Sequence, residues 1–111
     1  MKRTAGFTPC GDRYAYDFRL CLPAKGWAQL DTKQDAWYYG NWINPLTLET
    51  VSYAEGDATH IKYDDEAEFV RGVGESLAWH TEHGWEPKID GMCRPEIIEA
   101  FTRMGFAPYL H

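Results

Sequence analysis

At 111 residues with a formal charge of −6, the chain is long enough to bury roughly two-thirds of its unfolded surface and to fold without metal or disulfide support. Its ordinary apolar and charged fractions and 15% aromatic share exclude disorder, and its acid excess argues against direct duplex nucleic-acid binding, whose affinity comes from basic side chains displacing counterions. Cys10, Cys21 and Cys93 match no paired zinc spacing, no apolar leader follows Met1-Lys2-Arg3, and no run reaches the ~18 apolar residues of a membrane span; the expectation is one cytoplasmic domain, 1–111, without cofactor, metal or membrane contact.

From Tyr14 to Leu22 the even positions are apolar while Asp17 and Arg19 fall on odd ones, the period of a half-buried strand. Pro23-Ala24-Lys25-Gly26 supplies a turn, and Trp27 to Asp31 can return antiparallel. A third strand is the aromatic run Trp37-Tyr38-Tyr39-Gly40-Asn41-Trp42, closed by Asn44-Pro45. Alternation sets Trp37, Tyr39 and Ile43 on one face and Tyr38 and Trp42 on the other. Whether that second face is core or surface stays open. Leu48 to Glu55 and Ala58 to Tyr63 flank Gly56-Asp57 as a hairpin, with Tyr53 opposite His60. Thr50, Ser52, Ala54, Thr59 and Ile61 then share a face small enough for a helix to approach.

Asp65 followed by Glu68 resembles a capping box, and Phe69, Val70, Val73, Leu77 and His80 recur at helical spacing up to Gly84, predicting a helix over 65–82. Gly72 and Gly74 inside it demand either close packing or a local break. Trp85 to Cys93 reads as a connecting loop. Pro95 opens a shorter helix bearing Ile97, Ile98, Phe101 and Met104, ended by Gly105-Phe106. The expected fold is α+β: an antiparallel sheet of about four to five strands, with one longer and one shorter helix from the C-terminal half packed on one face.

Residues 1–55 carry six basic and six acidic side chains, residues 56–111 five and eleven, so the acid excess lies entirely in the second half. A partner with a basic surface fits that distribution. Tyr38 and Trp42 are candidate interface anchors, since Trp and Tyr dominate binding hot spots, and Asp64, Asp65, Glu66 and Glu68 are the candidate acidic rim. Acids in a first helical turn also stabilise the helix by themselves. Two catalytic readings are thinner. Cys93, before Arg94-Pro95 at a helix start, is a candidate thiolate with His80 or His83 as base, and the same histidines are candidate metal ligands lacking a third partner. Glu55 and Asp57 fit turn chemistry better than an acid/base pair. A structural subunit joined to copies of itself through the aromatic face is the remaining alternative.

Gly26-Trp27-Ala28-Gln29-Leu30-Asp31-Thr32, Gln34 to Trp42, Tyr53-Ala54-Glu55-Gly56-Asp57 and the closing Leu110-His111 resemble small uncharacterised proteins carried on bacterial plasmids and phages. The resemblance covers about half the chain and carries no catalytic residue with it. It implies a context in which small acidic accessory proteins bind and inhibit host machinery such as restriction or CRISPR nucleoprotein complexes.

Overall fold

The computed structural model describes residues 2–4, 22, 25–31, 39–54, 57–90 and 94–110. The expected strand over 14–22 therefore lies outside the described residues except for Leu22, which is fully buried and accepts hydrogen bonds from the backbone N–H groups of Lys25 and Trp27. The strands are β1 (Lys2–Thr4), β2 (Ala28–Asp31), β3 (Tyr39–Asn44), β4 (Glu49–Ala54), β5 (Asp57–Lys62) and β6 (Lys88–Asp90), ordered β1-β5-β4-β3-β2-β6 with every neighbouring pair antiparallel. Two helices follow β5, α1 (Glu66–Glu82) and α2 (Pro95–Arg103), and a 3₁₀ turn spans Ala107–Tyr109. The α+β class holds, with the two helices of the described residues in the C-terminal half.

Strands β1 and β6 were not expected. Each is three residues long, too short to show a period, and each exists by adding to a ready edge, β1 on β5 and β6 on β2. The predicted loop 85–93 thus contains a strand, with Ile89 buried between half-buried Lys88 and Asp90.

The β4–β5 hairpin forms with Ala54 paired to Asp57 and Tyr53 to Ala58, while His60 sits opposite Val51. The expected register, Tyr53 against His60, is off by two residues, because a glycine in either position of a two-residue loop satisfies the hairpin preference. A slip of two preserves side-chain parity. Thr50, paired with Ile61, and Ser52, paired with Thr59, therefore still share the face turned toward α1.

Between β3 and β4 the Asn44 side-chain oxygen accepts from the N–H groups of Leu46 (2.9 Å) and Thr47 (3.2 Å), an Asx turn that replaces the ladder at Pro45. Leu48 completes the reversal at φ +61°, left-handed backbone that costs a non-glycine residue energy. Its side chain packs against the core, which offsets that cost.

Helix α1 begins at the expected cap: the Asp65 carboxylate accepts from Glu68 N–H at 2.9 Å, while the Glu68 carboxylate accepts at 3.2 Å from the N–H of Asp64, one residue before the cap rather than the cap itself. It runs unbroken through both glycines. Each helix ends in a Schellman motif. Trp85 N–H donates to His80 C=O and Gly84 N–H to Thr81 C=O, and the same pattern joins Phe106 to Phe101 and Gly105 to Thr102. Gly84 (φ +84°) and Gly105 (φ +93°) supply the left-handed residue these endings need. Phe69, Val73 and Leu77 of α1 and Ile97 and Phe101 of α2 form one core with Ala28, Leu30, Ile43 and Ile89 of the sheet. The helices therefore cover the β6-β2-β3 side of one face.

Candidate functional site

Register places Trp42 in one cross-strand row with Gln29, Val51 and His60, opposite to the face that carries Ile43 and α1. Val51 and His60 are buried and Trp42 is only 5% exposed. Trp42 is therefore a core residue. Its assignment as an exposed anchor is corrected: both faces of β3 are closed at this row, so a ring there fills the interior as strand aromatics usually do. Tyr38 and Cys93 lie outside the described residues, as do Glu55 and the side chain of Asp57.

The acids at the start of α1 serve the helix. Asp65 caps the first turn, Glu68 accepts from the Asp64 N–H ahead of it, and Glu66 pairs with Arg103 of α2 at 2.5 Å, tying the helices together at the surface. That contact raises the Arg103 pKa, the hydrogen bond it donates to Glu66 being the main cause. On α2, Glu96 is held below the usual carboxylate range, first by a backbone hydrogen bond in the opening turn and then by Arg94. Asp64 is exposed beside the cap.

His80 and His83 are built into the end of α1. His80 is buried and donates from Nδ1 to Ser76 C=O at 2.7 Å; His83 donates likewise to Trp79 C=O at 2.7 Å. Among the described residues, no three His, Cys, Asp or Glu side chains converge as a metal site, and no helix is long and apolar enough to cross a membrane.

Trp79, which the sequence reading passed over, is 49% exposed. The buried stripe of α1 is Phe69, Val73, Leu77 and His80; position 79, two residues beyond Leu77, is turned about 200° around the helix from it. A tryptophan off the apolar stripe was the available signal. The indole is held rather than loose: the His83 ring stacks on it at 3.9 Å and 20°, and Trp85 meets it edge-on at 5.9 Å. Glu75, four residues before Trp79, and Glu82, three after, are both exposed and are its neighbours on the helix surface. This outer face joins an oriented aromatic ring to two carboxylates, a combination suited to a guanidinium or ammonium group.

A second feature lies where α1 leaves the sheet uncovered. A cleft of about 190 Å³ opens between the helix and β3, β4 and β5, with Leu30, Ile43, Ile61 and Val73 below and Asn41, Thr50, Ser52 and Ser76 along its walls. A second, charged hollow bounded by Glu68, Arg71 and Glu75 shares Tyr63 and Gly72 with it.

Comparison of the chain with protein-family models, curated proteins and solved structures finds no match.

Proposed function

We propose that this protein is a non-enzymatic binding domain that docks a protein partner with a basic surface through the outer face of α1. Trp79 is the anchor, with Glu75 and Glu82 as its ion-pairing flank. The observation that carries this reading is the half-exposed indole fixed by the His83 stack. A large ring already held in one orientation loses little freedom on binding, which is how aromatic anchors contribute most of an interface's energy. The excess of acids in residues 56–111 supports a basic partner and faster association with it. The likeness of the chain to plasmid- and phage-borne proteins supports a host-defence nucleoprotein complex, of the CRISPR or restriction type, as the class of partner, with inhibition as the outcome.

Affinity purification from the host, read by mass spectrometry, tests this with Trp79→Ala and with a Glu75→Lys/Glu82→Lys double variant. Both should lose a partner with a basic contact face that the parent retains, while their circular dichroism matches the parent's. Retention of the same proteins by both variants would show that the outer face of α1 is not the docking surface.

A further inference from the structure

We infer that the cleft between α1 and the β3-β4-β5 face is a binding site for a small, uncharged, single-ring molecule with a hydrogen-bonding edge. Its size sets the first limit. An apolar cavity of roughly 150 Å³ accepts benzene, and this cleft measures about 190 Å³, room for one ring with a substituent. Its chemistry sets the second. Among the described lining residues no side chain is charged, so a charged ligand would surrender its hydration without gaining a counter-ion from them.

The floor is apolar, with Leu30, Ile43 and Val73 almost completely buried. The polar groups stand on the walls: the Ser52 hydroxyl donates to the Asn41 side-chain oxygen at 2.8 Å, with Thr50 next to Ser52 on the same face of β4 and Ser76 on α1 adding further hydroxyls. An apolar base with a few convergent polar groups is the usual make-up of a small-molecule site. Ser52 is exposed, which leaves the cleft a route to solvent.

The gap is also kept open by the residues around it. Protein interiors close-pack, and under Phe69, Val73 and Leu77 this one does; at the cleft both walls carry small side chains, Thr50 and Ser52 on the sheet and Gly72 and Ser76 on the helix. Gly72 is a costly residue for a helix interior. Its effect is local: a Cβ there would overlap the Tyr63 hydroxyl. The missing side chain lets Tyr63 lie against α1 at the boundary between the neutral cleft and the charged hollow, where its hydroxyl can donate to a ligand. Glu75, Trp79 and Glu82 are not among the described residues that line this site, and its occupancy can be measured without any protein partner.

Phenol serves as the neutral probe and benzoate as its charged counterpart, each titrated into ¹⁵N-labelled protein and followed by amide chemical shifts. Phenol should shift the amides of Ile43, Thr50, Ile61 and Val73 saturably, with benzoate at least about tenfold weaker. Ser76→Leu, which fills the cleft from the helix side, should weaken phenol by about tenfold or more. Ser52→Leu fills it from the exposed end of the sheet and replaces the first variant should that one not fold. Absence of saturation with phenol, equal binding of benzoate, or unchanged phenol binding in a folded filled variant would overturn the assignment.

Discussion

Trp42 and Trp79 are the same side chain in opposite circumstances. Trp42 stands in an aromatic run and is sealed into the sheet at 5% exposure; Trp79 has no aromatic neighbour adjacent in sequence other than His80, and is 49% exposed. The acids divide in the same way. Those at the start of α1 cap the helix or bridge to α2, whereas Glu75 and Glu82 flank the exposed indole. At Trp42 a ring within an aromatic run is therefore buried, and at Trp79 a single ring off the apolar stripe of a helix marks a surface available for recognition.

The contrast breaks most visibly in stability. Trp42→Ala should cost about 3–5 kcal/mol in urea denaturation, the range for deleting a buried aromatic; a loss below about 1 kcal/mol would return Trp42 to the surface. Gly72→Ala comes next. Its new Cβ meets the Tyr63 ring, so a loss of about 1–3 kcal/mol is expected from overpacking. Asp65→Ala should cost about 1 kcal/mol through the lost cap, visible as a lower midpoint of thermal unfolding. That result would mark the acids at the helix start as structural. Gly74→Ala has the opposite sign: nothing lies within 4 Å of a Cβ there, so the helix should gain about 0.5–1 kcal/mol. Trp79→Ala should change stability least, by about 0.5 kcal/mol or less, since the ring it removes is half in water.

The local rules were legible where they acted alone. The cap at Asp65, the endings at Gly84 and Gly105, the start at Pro95 and the turn at Asn44-Pro45 all follow from a few neighbouring residues, and all are present. Face assignment on the β4–β5 hairpin also held, because the register error was an even number of residues. What failed depended on distant partners. Nothing in Lys2–Thr4 or Lys88–Asp90 announces a strand until an edge is there to receive it. Likewise, nothing local to Trp42 reveals that the face it shares with Val51 and His60 is closed. The cleft was hidden for the same reason: the small face at Thr50, Ser52 and Ile61 and the glycine at 72 were legible, but the gap itself depends on how β2, β3, β4, β5 and α1 meet.

The most direct measurement compares Trp79→Ala with the parent in quantitative capture from host lysate, alongside the thermal midpoint of each. The variant is expected to keep the parent's midpoint within a few degrees and to lose the basic partner. Undiminished capture by a folded Trp79→Ala protein would contradict it.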